Sequence, residues 1–150
     1  MNHLEIIEDM GDVPIYPALS LIIKGHNIFF DEKLEGTGVS AAELPYIVRI
    51  CADNNKLTQR DLCNLFFVSE PVVARTLKNL EKKGFIIRNK DPKNRTRKLL
   101  SITDKGMEIS KRMFDINSEW EKRIFNNFTH DEMETFRKSI KKITVNSIEI

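Results

Sequence analysis

Apolar residues along this chain recur at intervals of three and four, with one break in the period. Leu19, Ile22, Ile23, Phe29, Phe30 and Leu34, with His26 among them, share one stripe and predict a first helix. Pro14 and Pro17 punctuate its start, and Gly36-Thr37-Gly38 forms a loop, so the helix ends near Glu35. The acidic, loosely amphipathic residues 1–13 read as either a short helix or a disordered arm. Ser40 and Glu43 have the spacing of a capping box for a second helix through Leu44, Ile47, Val48 and Cys51 to about Ala52, with Pro45 early in it. Asp53-Asn54-Asn55 reads as a turn and Lys56-Leu57 as a short extended pair. Thr58 and Asp61 then open a third helix with Leu62, Leu65 and Phe66 inward. Only Phe67 and Val68 separate it from Ser69, a good N-cap for a fourth helix. That helix has Pro71 in its first turn, Val73, Leu77 and Leu80 on its apolar face, and Gly84 as its stop.

Here the period changes. Phe85, Ile86 and Ile87 begin one strand, and Leu99, Leu100 and Ile102 belong to its partner. The turn between them spans 91–97, with Asp91-Pro92 and Asn94 as turn formers. Thr103 then caps a long helix from about Asp104 to Asn127, roughly 35 Å at the usual helical rise. Ile109, Met113, Ile116, Trp120, Ile124 and Phe128 mark its stripe. A second capping box, Thr129 with Glu132, opens a last helix with Met133, Phe136, Ile140 and Ile143 on one side.

Two short helices joined by so tight a turn are a helix-turn-helix, and the hairpin that follows makes it a winged one. The predicted fold is mainly α with a small β-hairpin wing (α+β): an N-terminal dimerisation arm and helix over 1–35, a winged helix-turn-helix over 36–103, and C-terminal dimerisation helices over 104–150. The first, long and last helices carry apolar stripes with little of their own domain to cover them. A second copy of the chain is the simplest cover, and a monomeric bundle is the alternative.

Charge adds a partner class. Between Arg75 and Lys98 ten basic residues face only Glu81 and Asp91, a local +8 on a chain whose net charge is +2, so the remainder is −6. A cationic helix and hairpin on a mildly acidic background is the electrostatic footprint of a nucleic-acid reader; the alternative is a solvated basic face. At 150 residues, 41% hydrophobic and 31% charged, the chain fits one soluble domain with appended helices. No apolar run is long enough to span a bilayer, and the start is unlike a signal peptide, so a cytoplasmic protein with no membrane partner is expected. Cys51 and Cys63 fit no zinc spacing and lie in apolar surroundings that suit reduced, buried thiols. His3, His26 and His130 are far apart, and the chain has no phosphate-binding glycine loop and no nucleophile with a base. Neither an enzyme, a cofactor nor a metal is expected.

The segments LTQRDLCNLFFVS, VARTLKNLEKKGFIIR and DPKNRTRKLLSITDKG, in that order and between flanking helices, resemble the MarR family of transcription regulators. The resemblance implies a homodimer that binds double-stranded DNA and places the helix beginning at Ser69 in a major groove. On that basis the DNA-contacting residues are Thr58, Gln59, Ser69, Pro71, Val72, Ala74, Arg75, Lys78 and Asn79, with Lys93, Asn94, Arg95 and Arg97 in the wing. The family often has hydroxyl residues where this chain has Pro71, Val72 and Ala74; Val72 and Ala74 are suited instead to thymine methyl groups. Arg75 is the candidate for a guanine or phosphate contact and Lys78 for a phosphate. Near the wing tip the family pairs an acidic residue with an arginine that enters the minor groove. Here Asn94-Arg95 takes that place, with Arg97 available to share the role. The resemblance also implies a small anionic aromatic effector between the dimerisation helices and the winged domain, with His26, Tyr46 and Arg49 as candidates. The family prior favours a repressor. Two rival readings stay open: an architectural or bridging winged-helix protein without sequence preference, and a regulator switched by oxidation of Cys51 or Cys63.

Overall fold

The computed structural model describes Ile7, Gly11, Asp12 and residues 14–149. The reading of residues 1–13 as a helix or arm therefore lies outside the described residues, apart from those three. Two compact units divide the chain, residues 1–116 and 117–150.

In the first unit, α1 (Ile15–Lys33) starts behind Pro14, whose fixed φ suits the N-cap position. Its stripe splits by burial. Phe29, Phe30 and Leu34 are buried, whereas Ile22 and Ile23 are 50% and 59% exposed. The second helix, α2 (Leu44–Ala52), starts one turn later than the Ser40–Glu43 box suggests. The two residues do bond reciprocally, Ser40 N–H to Glu43 Oε2 at 3.0 Å and Glu43 N–H to Ser40 Oγ at 3.3 Å, but within a turn ahead of the helix. Pro45 thereby falls in the first helical turn, where its missing N–H costs little.

α3 (Gln59–Phe66) opens on the expected box, with Thr58 and Asp61 bonding each other's backbone N–H. Leu62 is fully buried, but Leu65 is 42% exposed, contrary to its inward assignment. The short helix turns only a narrow face to the core, and Leu65 lies three residues past Leu62 at that face's edge. Phe67 closes the helix in the left-handed region at φ 53°. α4 (Glu70–Lys82) buries Val73, Leu77 and Leu80 completely. Ser69 occupies the N-cap position, yet its hydroxyl makes no cap bond there. At the other end Gly84, at φ 79°, donates to Glu81 O and Phe85 donates to Leu80 O, each at 3.0 Å. This paired pattern satisfies two end carbonyls and needs a residue free to adopt positive φ.

Strands β1 (Ile86–Asp91) and β2 (Asn94–Ile102) pair antiparallel, from Ile86 opposite Ile102 to Lys90 opposite Lys98. Asp91 then pairs with Asn94, so the connection is Pro92-Lys93 alone and the expected 91–97 turn is mostly strand. The turn formers act from within the strands. Asp91 Oδ1 accepts from Lys93 N–H at 2.9 Å, and Asn94 Oδ1 from Thr96 N–H at 3.1 Å. The register shift leaves 95–97 as an irregular bulge. The extended pair at 56–57 makes one backbone bond with β2, Leu100 N–H to Leu57 O at 2.8 Å, beside the bond of Asn55 N–H to Leu100 O at 2.9 Å.

α5 (Asp104–Ile124) begins where Thr103 Oγ1 accepts from Gly106 N–H at 3.1 Å. A Cβ on Gly106 would collide with the Phe85 carbonyl oxygen and the Ile102 side chain, so glycine is required by close packing here. The helix stops three residues short of Asn127, which itself has φ 66°. In the second unit, α6 (His130–Ile148) starts with the Thr129–Glu132 box as expected and has no buried residue. Phe125 packs edge-on against Phe128 and Phe136, each at 5.5 Å between centroids.

Candidate nucleic-acid interface

The apolar face of α4 decides what its other face presents. With Val73, Leu77 and Leu80 pointing inward, Pro71, Val72, Arg75, Lys78 and Asn79 are left exposed, and Ala74 is half-buried at the edge. Val72 is 47% exposed, a large apolar surface on an otherwise cationic helix. Thr76, absent from the sequence assignment, bonds back to Val72 O at 3.0 Å.

Apart from Ser69, exposed at the N-cap of α4, the remaining assigned residues fall into two groups. Thr58 and Gln59 are committed to holding the motif together. Thr58 Oγ1 lies 2.7 Å from Asp61 Oδ2, while Gln59 accepts from Arg88 Nη1 at 3.2 Å and reaches Glu70 at 3.5 Å. The wing residues Lys93, Asn94, Arg95 and Arg97 are exposed. Arg97 stands near two carboxylates, Asp61 at 3.7 Å and Asp91 at 3.9 Å. Asn94 spends its side-chain oxygen on Thr96, whose hydroxyl donates to it at 2.7 Å. Asp91 of the wing and Asp61 of α3 thus both stand beside Arg97, while Asn94 makes its bond within the wing. An open groove runs between the start of α3 and the wing; Arg60, Asn64 and Lys98 line it together with Gln59 and Arg97. None of these three stands out in the sequence as a contact residue. Arg60 and Asn64 are four apart on one helix and share a face.

Electrostatics in this region follows the hydrogen bonds. The Thr58 backbone and hydroxyl hold the Asp61 carboxyl below its usual range against the opposing effect of burial, with the charges of Arg97 and Arg60 adding less. Burial pushes the Tyr46 phenol up, with the Cys63 thiol adding to it. Among the described residues no group of His, Cys, Asp and Glu is placed to hold a metal ion.

The effector candidates lie on a different face. A cavity of about 340 Å³ is lined by His26 and Phe30 of α1, Leu44, Val48 and Arg49 of α2 and its flank, Phe66 and Met113. His26 stacks on Phe30 at 4.1 Å, and Arg49 pairs with Asp53 at 2.8 Å. Tyr46 does not line this cavity; it is buried on another side of α2 against Phe66, 4.9 Å between ring centroids. Cys51 and Cys63 are free and half-buried.

Comparison with known proteins gives this geometry its relatives. The MarR family model matches residues 46–97, the span from α2 through the wing tip. The crystal structure of MarR is 32% identical and superposes with a TM-score of 0.80, covering 93% of this chain and 95% of that one. A curated relative, the HTH-type transcriptional regulator BilQ of Clostridioides difficile, is 26% identical over 129 residues, 83% of this chain and 86% of that protein. A MarR-family regulator from Listeria monocytogenes, solved with a 26mer DNA, shares the fold at 24% identity and TM-score 0.80, covering 90% of this chain and 89% of that one.

Proposed function

The chain belongs to the MarR family of DNA-binding transcriptional regulators, and from that premise we propose that it is a homodimeric, ligand-responsive repressor of an inverted-repeat operator. The observation that carries the reading is the division of α4. One face is wholly buried, and the other offers Val72, Arg75 and Lys78 beside a basic wing. Such a helix docks by its charges and discriminates by Val72 and Arg75 against base edges. Arg95 and Arg97 then enter the flanking minor groove, where negative potential is concentrated. The Listeria relative solved with DNA supports duplex DNA as the partner. The uncovered apolar positions on α1 and α6, Tyr16 and Ile23 on one and Ile143 and Ile148 on the other, support a second copy as their cover. The cavity bearing His26 and Arg49 suits an aromatic acid, the ring against Phe30 and the carboxylate toward the guanidinium. Repression rather than activation, and a cytoplasmic setting, follow the family expectation.

Selection of bound duplexes from a random pool at physiological salt tests this. The expected result is an enriched inverted repeat with half-site centres about ten base pairs apart. Binding without an enriched motif would make the protein an architectural binder. No binding even at low salt, where phosphate contacts are strongest, would remove DNA as the partner of the basic face.

A further inference from the structure

Glu43 is a buried carboxylate at the edge of the α4 surface that carries Arg75 and Lys78, and both of its oxygens are engaged. Oε1 accepts from the Asn79 amide at 2.6 Å and from Lys83 Nζ at 2.9 Å; Oε2 accepts from Lys83 at 3.0 Å and from Ser40 N–H at 3.0 Å. Asn79 and Lys83 are four residues apart on α4 and its C-cap, so Glu43 grips one face of the recognition helix over a full turn. The turn that carries Glu43 is held from its other side as well. Ala41 N–H donates to Asp31 Oδ1 of α1 at 2.7 Å. Two carboxylates thus link α1 to the 40–43 turn and that turn to α4.

We propose that Glu43 is a positioning residue for DNA recognition, fixing the roll of α4 relative to α1 so that Arg75 and Lys78 meet the groove at a set angle. This rests on the sequence-specific reading above. A buried ion pair is a poor way to gain stability alone, since an apolar residue of like volume often does as well. Its advantage is direction, because hydrogen bonds at 2.6–3.0 Å define an angle that apolar contact does not. The same groove wall that holds Glu43 carries Arg75, Thr76, Lys78 and Lys82, so a rotation released at Glu43 is felt directly by the contact residues. Burial pushes the Glu43 carboxyl up, but the Ser40, Lys83 and Asn79 bonds together hold it below its usual range, in keeping with a charged clamp. Ala41 and Leu44, on either side of Glu43 in the chain, line the cavity beside α1 and α2.

The test uses the full chain, the duplex that it enriches from a random pool, and a scrambled duplex of equal length. Affinities of Glu43→Gln, Lys83→Met and the double variant are measured against salt. Each single variant should lose about tenfold on the enriched duplex, hold within about threefold on the scrambled one, and keep the salt slope; the double should lose no more than the worse single. A folded variant with unchanged preference overturns the proposal. So does equal loss on both duplexes with a reduced slope, which would make Lys83 a phosphate contact. If Glu43→Gln fails to fold, Lys83→Met, altering a partly exposed side chain, decides the matter by the same two readouts. Absence of any enriched duplex overturns the specific-reader proposal and this one together, whereas an enriched duplex with indifferent variants overturns this one alone.

Discussion

At the scale of single residues, the side chains divide by whether their polar atoms are already spent. Thr58, Gln59, Asn79 and Asn94 make bonds within the protein, whereas Lys93 and Arg95 stand out from the wing as exposed cations. Arg75→Ala should therefore cost about 1–3 kcal/mol and relax preference at one base if it reads that base. A loss of equal size on every sequence would assign it to phosphate. Arg97 differs from Arg95 in having Asp61 and Asp91 to orient it. We expect Arg97→Ala to weaken binding most on sites with A·T-rich flanks, measured against G·C-flanked duplexes; equal losses would exclude the minor-groove role. Glu43 and Asp61 also give stability a pH dependence. Both carboxyls sit below their ordinary values of 4.5 and 3.8 when folded, so their contribution is fully present above those values. It is lost as pH falls through the depressed folded values. Thermal unfolding followed from pH 6 down to about pH 3 should show that loss, and Glu43→Gln should flatten part of it.

Elements inherit their limits from such residues. Leu77 is fully buried on α4, and Leu77→Ala should cost about 2–5 kcal/mol in denaturant unfolding. Gly84→Ala forces a side chain into positive φ and should cost about 1 kcal/mol by the same assay, whereas Gly106→Ala meets backbone and should cost more. The reverse order would mean that α5 shifts easily away from Phe85. These elements also show what a sequence makes legible. Helix spacing, the Thr58 and Thr129 boxes and the Gly84 stop depend on neighbours within four residues, and the structure has them where the spacing puts them. The hairpin wing is present as expected but its turn is shorter, because Asp91 and Asn94, ordinary turn formers, bond to residues two ahead and leave the strands intact. Ser40–Glu43 was misread in a similar way: the box exists, but Glu43 is claimed by Asn79 and Lys83, some forty residues away. The Arg97 pairing with α3 and the cavity bearing His26 also join distant segments, and neither local period nor charge count carries that information.

Over the whole molecule, charge is distributed unevenly along the chain. The local +8 against a remainder of −6 should make DNA affinity fall steeply with salt, with a log–log slope near −0.9 for each phosphate neutralised. Removing Lys78, if it holds a phosphate, should lower that slope by about one and leave sequence preference intact. The apolar positions left open on α1 and α6 set a second expectation. Ile23→Glu should shift the sedimentation of the protein from dimer to monomer and reduce operator binding with it, and an unchanged dimer would move the interface elsewhere.

The join between α4 and the wing has a kinetic consequence. Only Lys83, Gly84 and Phe85 connect them, and each is pinned from the start of α5. Thr103 Oγ1 lies 2.8 Å from Gly84 O and 2.9 Å from Phe85 O, and Lys105 Nζ donates to Lys83 O at 2.8 Å. These bonds tie the end of α4 and the start of the hairpin to one anchor, so under the proposed docking helix and hairpin should leave DNA together. If the protein is the proposed dimer on an inverted repeat, dissociation of a subunit followed by stopped flow should be a single exponential; a second phase removed by trimming the wing would show that helix and hairpin let go separately.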